Sequence, residues 1–190
     1  MMLSAVYLSA YYAACTPQIG RSTIAAIVQV ESGGDPWAID DNTDKRRWQA
    51  RSYSEAVAIA QTLVRLGHSV DMGLAQVNSR NLAHLGMSVR EVFEPCRNLR
   101  AAARILEDCY RPAANRFGPG QRALVHALSC YNTGSLYAGK SYVGKVLAAA
   151  GAAPVLRKLA HAELRGATSR TWISREPVVR WKMNRDWRVF

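Results

Sequence analysis

The chain has 190 residues, room for one domain with a sizeable core, or for a domain and a short appendage. Apolar residues make up 49% and charged residues 21%. No run reaches the roughly 18 consecutive apolar residues of a spanning helix, so the sequence excludes one and predicts a soluble globular chain. The net charge of +11, from 25 Lys and Arg against 14 Asp and Glu, suits an anionic partner: nucleic acid, a membrane surface or an acidic cell-wall polymer.

Met1 to Ala14 is weakly apolar, rich in Ala and Tyr, and has no cationic start. It reads as a signal peptide with Cys15 just past the small pair Ala13 and Ala14, or as a first core helix ended by Thr16 and Pro17; the missing cations favour the helix. Ile24 to Pro36 organises the rest. Ile24, Ile27, Val28 and Val30 predict a short buried helix, stopped by Gly33, Gly34 and Pro36. Glu31 then falls near a helix C-terminus, one turn on from Ile27 and Val28. Burial and the negative helix pole both penalise its anion, which is what a general acid at neutral pH needs. A solvated residue in a fraying last turn is the plain alternative.

From Pro36 to Tyr53 the chain is polar and irregular. Asp40, Asn42 and Asp44 mimic the opening of a calcium loop, but Lys45 stands where the turn glycine belongs and Arg51 where the bidentate glutamate belongs, so calcium is rejected. Trp37, Trp48 and Tyr53 offer flat rings of the kind that stack on sugars, or they cover the core. Ser54 is expected to open a helix whose apolar stripe runs from Ala56 to Leu66, with Gly67 behind it. Gly73 then permits a turn or a close backbone approach, and Gln76 and Asn78 follow it as two amides, each donor and acceptor at once.

Ser88 and Glu91 fit a capping box. A helix is predicted from Asn98 to Tyr110, then a loop holding Pro112, Gly118, Pro119 and Gly120, then a helix that leaves Tyr131 and Asn132 at its C-terminus before Gly134. No period-2 strand pattern of any length occurs, so the fold is expected to be mainly α. Cys15, Cys96, Cys109 and Cys130 form no CxxC pair, and His68, His84, His126 and His161 stand far apart without an HExxH, so no metal site or other cofactor is expected. An even cysteine count permits two disulfides in three connectivities. Cys15 with Cys96 and Cys109 with Cys130 is preferred, because 109 and 130 fall on consecutive helices; free buried thiols are the alternative.

Three polar clusters, each beside a glycine at the edge of an apolar helix, share one explanation. ESGGDPWAI from Glu31, GLAQVN from Gly73 and ALSCYNTG from Ala127 resemble, in order and spacing, the three motifs of the soluble lytic transglycosylase and goose-type lysozyme superfamily. DDNTD, GHSVDMGLAQVNSRNL and FEPCRNL add a resemblance to the small periplasmic transglycosylases that accompany type IV secretion systems. The likeness covers residues 12 to 148 and implies a lysozyme-like helical domain over 1–150 with a glycan-binding cleft. It also implies cleavage of the bond between N-acetylmuramic acid and N-acetylglucosamine with closure of a 1,6-anhydro ring, Glu31 serving as acid and then base. Ser32, Gln76, Asn78, Tyr131 and Asn132 would contact substrate or support that corner. The partners implied are peptidoglycan strands in the periplasm and components of a secretion system, with no nucleic acid and no stable membrane span.

Two departures stand out. Asp40 replaces the serine many relatives carry two residues after the alanine matching Ala38, and Ala75 replaces a common methionine. A carboxylate at 40 leaves open two-acid, water-using hydrolysis by Glu31 with Asp40 or Asp41. Residues 151–190 form a separate extension with nine Lys and Arg against three acids, so +6 of the +11, and with Trp172, Trp181 and Trp187 interleaved. It reads as a binding tail for an anionic polymer, partner or membrane surface, or as a disordered end. A non-catalytic assembly factor and a nucleic-acid binder are the other function classes, though no helix-turn-helix, RNP-type or zinc framework supports the last.

Overall fold

The computed structural model describes residues 11–152. The first ten residues of the Met1 to Ala14 segment and the cationic extension from 153 onward lie outside them. The chain divides into two compact units, 11–16 with 27–102, and 17–26 with 103–152 among the described residues.

The first unit holds the last residues of helix α1 (Arg21–Glu31), a four-stranded antiparallel sheet, helix α2 (Tyr53–Arg65), a 3-10 turn (Ser79–Asn81) and two four-residue helices, α3 (Leu82–Leu85) and α4 (Val89–Val92). The strands are β1 (Ala38–Asp41), β2 (Arg46–Gln49), β3 (Val70–Met72) and β4 (Val77–Asn78), in spatial order β2-β1-β3-β4. The mainly α expectation holds, but this sheet occupies the stretch read as irregular. Its two central strands, β1 and β3, alternate as strands do: Ile39, Val70 and Met72 are fully buried, while Asp40 and Asp71 point to the other face. Helix α2 packs against β1 and β3. Each such aliphatic side chain withdrawn from water contributes on the order of 1.5–3 kcal/mol.

Two boundaries differ from expectation. Helix α2 starts at Tyr53, not Ser54, because Ser52 is the N-cap whose side chain accepts the Glu55 N–H. The Ser88–Glu91 capping box forms as its spacing predicts. The helix predicted from Asn98 begins at Pro95, a favoured first-turn residue, and continues through Pro112 to Phe117 as α5 (Pro95–Phe117). Pro112 forfeits one bond to the preceding turn, yet Ala113 beyond it is fully buried and holds the helix on course.

The second unit contains the first half of α1, the later part of α5, α6 (Gln121–Thr133) and α7 (Lys140–Ala149). Leu106, Leu124, Leu128 and Val143 are buried at its centre. Buried His126 stacks on Phe117 with ring centroids 3.7 Å apart and bonds the Leu136 carbonyl through Nδ1. Both preferred disulfides are present, Cys15–Cys96 in the first unit and Cys109–Cys130 in the second.

Candidate active site

Helix α1 ends on Glu31, with no basic residue in its last turn to offset the negative pole. Ile27 and Val28, one turn back, are 1% exposed, whereas Glu31 itself is half-buried. Gly33 and Gly34 follow with φ of 64° and 90°, the left-handed exit that glycine alone adopts freely. The Ser32 hydroxyl lies 3.4 Å from Val28 O of its own helix but closer to a group outside it. It donates to the Leu74 carbonyl at 2.7 Å and accepts from the Gly34 N–H at 3.1 Å. The residue after Glu31 is thereby tied to the second polar cluster, 42 positions on.

That cluster is the turn from Gly73 to Gln76 between β3 and β4, and the protein engages nearly every polar group in it. The Gly73 N–H donates to Ala38 O, and the Gln76 N–H to Gly73 O. Gln76 has φ of 48°, a strained left-handed conformation for a residue with a side chain. Its own Nε2 offsets that strain by donating to Gly73 O at 2.9 Å and Ala38 O at 3.2 Å, while its Oε1 is buried without a hydrogen-bond partner. Asn98, 1% exposed in the first turn of α5, supplies the remaining partners. Its Oδ1 accepts the Ala75 N–H, and its Nδ2 donates to Met72 O and Val92 O, all at 2.8–2.9 Å. A Cβ at Gly73 would lie 2.4 Å from that Nδ2, so the close approach foreseen for this glycine is an approach to Asn98.

Across the outer face of the sheet runs a polar row in register, Arg47, Asp40, Asp71, Asn78. Asp40 takes a bidentate pair from Arg47, at 2.6 Å to each oxygen. Asp71 accepts from Asn42 Nδ2 and Asn78 Nδ2, both at 2.6 Å. Burial pushes its pKa up against those two bonds, with the neighbouring Asp40 charge adding to the rise. Asn78 is committed on all sides: Nδ2 also donates to Ser69 Oγ, and Oδ1 caps the 3-10 turn at the Arg80 N–H. Trp48 lies under the Arg46 guanidinium at 3.9 Å, and Tyr53 donates its hydroxyl to Arg90 O.

On the inner side, Asp41 is buried and bonds His68 Nδ1 at 2.8 Å while accepting the Thr43 and Asp44 N–H groups. Burial would raise the Asp41 carboxyl, but these bonds outweigh it and lower its pKa; the same bond to Asp41 raises that of His68. Asp41, Asp44 and His68 are the one trio among the described residues with metal-ligand atoms within 4.8 Å of one another. Its two central members already satisfy each other, the pattern of a structural clasp.

Tyr131 and Asn132 belong to the second unit, in the last turn of α6. The Tyr131 ring stacks on Tyr142 at 6.4 Å, and Asn132 is exposed. Within the first unit the fold thus brings together the helix end at Glu31, Ser32 and the turn carrying Gln76, and sets Asn78 in the polar row. Sequence reasoning gave Asp71 no role, read Asn98 only as a helix start and met Asn42 only in the rejected calcium loop. Only Asp71 left a local trace, the three-residue alternation of Val70, Asp71 and Met72.

A family model described as the transglycosylase SLT domain matches residues 9–146. The chain is 42% identical over 144 residues to the type IV secretion system protein virB1 of Brucella suis biovar 1, covering 72% of this chain and 60% of that one. It is 38% identical over 138 residues to protein virB1 of Agrobacterium fabrum, covering 72% and 56%. The chain therefore spans 60% or less of the length of these curated relatives. No solved structure matches it.

Proposed function

The chain belongs to the transglycosylase SLT domain family, and from that premise we propose that it is a peptidoglycan lytic transglycosylase with Glu31 as its single acid and base. The observation that carries the reading is the end of α1: a half-buried carboxyl at the negative helix pole, joined through Ser32 to the Gly73–Gln76 turn. The negative end of a helix dipole opposes a further negative charge beside it, which is the electrostatic setting a proton donor needs.

In the reaction, Glu31 protonates the oxygen bridging N-acetylmuramic acid and N-acetylglucosamine, and the N-acetylglucosamine leaves as an alcohol. Positive charge at the muramoyl C1 is met by the substrate's own acetamido group. The Glu31 carboxylate then takes the proton of the muramoyl O6 hydroxyl as O6 bonds C1, which closes the 1,6-anhydro ring and restores the acid without consuming water. Ser32 joins the turn before Gln76 to the end of α1, and Gln76 and Asn78, whose amides also bond within the protein, are assigned the contacts with sugar substituents that their motif implies. The supporting roles of Tyr131 and Asn132 are proposed on their motif alone.

The net charge of +11 suits an anionic wall polymer, and two disulfides suit an oxidising compartment such as the periplasm. No helix among the described residues is long and apolar enough to cross a membrane. Local opening of the wall for a type IV secretion apparatus is the task this reading assigns. Water-using hydrolysis gains no support, because Asp40 is paired with Arg47 and Asp41 is buried against His68. Digestion of purified sacculi by the wild type and by Glu31→Gln, with mass analysis of the fragments, tests the reading. Anhydro-muropeptides from the wild type and almost none from the variant are expected; reducing-end products would overturn it. A secretion channel that still assembles around Glu31→Gln would separate docking from catalysis.

A further inference from the structure

We propose that Asn98 is a positioning residue for the proton-donating end of α1, acting through the Leu74–Ala75 peptide group and Ser32; the proposal rests on the reading of Glu31 above. Leu74 O and Ala75 N–H are the two poles of one peptide plane. Ser32 Oγ holds the oxygen at 2.7 Å, and Asn98 Oδ1 holds the N–H at 2.8 Å. Both Leu74 and Ala75 are fully buried, so water cannot substitute for either side chain.

The Ser32 hydroxyl has one proton and two carbonyls in reach, Leu74 O at 2.7 Å and, within its own helix, Val28 O at 3.4 Å. The tilt of the 74–75 peptide decides which receives it. With the N–H held by Asn98, the carbonyl faces Ser32 and the end of α1 is joined to the turn. Once that hold is lost, the proton returns to Val28 O, the local alternative a serine near a helix end always has, and Glu31 loses its tie to the turn.

Only asparagine meets the requirements at 98. The seat needs an acceptor for Ala75 N–H and two donors for Met72 O and Val92 O. Aspartate lacks the donors, serine has one, and glutamine is a methylene too long. The absent side chain at Gly73 gives the carboxamide its space.

The test compares wild type, Asn98→Ala, Asn98→Asp, Ser32→Ala and the Ser32→Ala/Asn98→Ala double variant. The readouts are kcat and KM on a soluble peptidoglycan glycan oligomer, hydrogen exchange at the Ala75 amide, and the thermal midpoint. A displaced acid slows the chemical step and leaves binding alone, so kcat falls on the order of 10- to 100-fold while KM stays near the wild-type value. The double variant is no slower than the slower single variant, because both act on one peptide group. The Ala75 amide exchanges ~10-fold faster or more in Asn98→Ala that is still folded. Should that variant not fold, Asn98→Asp takes its place, since its carboxylate oxygens are repelled from the seat by two carbonyls. Unchanged kcat in a folded variant, losses that multiply in the double, or an Ala75 amide that keeps its protection overturns the proposal. If the wild type cleaves nothing, the Glu31 reading fails instead, and the exchange measurement decides the fate of the Asn98 clamp.

Discussion

Removing the Cys15–Cys96 disulfide by paired alanine substitutions should destabilise the protein more than removing Cys109–Cys130, although both pairs join helical segments of similar burial. The first bond spans a sequence separation of 81 residues and the second 21. The loop-closure relation for the unfolded chain assigns about 4.5 kcal/mol to the longer loop and about 3.3 kcal/mol to the shorter, so about 1.2 kcal/mol separates them. For a chain of this size, each kcal/mol moves the thermal midpoint by about 2–4 °C. Urea unfolding of the two double variants, followed by circular dichroism, reads the difference directly. Equal losses, or a larger loss for Cys109–Cys130, would refute the unfolded-state argument. The two variants should also differ in activity. Cys96 lies two residues before Asn98 in the first turn of α5, so release of that bond also loosens the carboxamide that grips the turn, and kcat should fall in the Cys15/Cys96 variant together with protection of the Ala75 amide, which the Cys109/Cys130 variant should keep.

Two further outcomes follow from bonds described above. The His68–Asp41 bond stabilises fully below the ordinary histidine pKa of 6.5 and is lost as pH rises through the raised value in the fold; the lowered Asp41 pKa preserves it until strongly acid pH. His68→Gln should therefore lower the thermal midpoint more near pH 5.5 than near pH 9, and an equal loss at both would count against the clasp. Ser32→Ala strands the Leu74 carbonyl and the Gly34 N–H, both in buried residues. A cost of about 1–3 kcal/mol is expected by chemical denaturation, with Ser32→Thr close to wild type; no loss in Ser32→Ala would show that these groups find other partners.

The helices were legible because their burial is periodic over ten or more residues: Ile24, Ile27 and Val28 mark α1 as clearly in sequence as in space. The sheet was not, since its strands are two to four residues long and every second position carries a polar group such as Asp40, Arg47 or Asp71. Alternation that short has no statistical weight, and only pairing across strands gives it meaning. Glu31 and Gln76 were found through the glycines beside them, because positive φ leaves a mark on composition. Asn98 left none. Its partners at Met72, Ala75 and Val92 are main-chain atoms, which any residue would present, so nothing in the letters around them betrays the grip.

That anonymity has a use. Because Ser32 and Asn98 hold the turn by its backbone, the bonds that fix it ask nothing of the side chain at residue 75, a fully buried alanine in this chain. A change of bulk at that point is then a question of space alone, and the hydrogen bonds that join the turn to the end of α1 survive it wherever the neighbours make room.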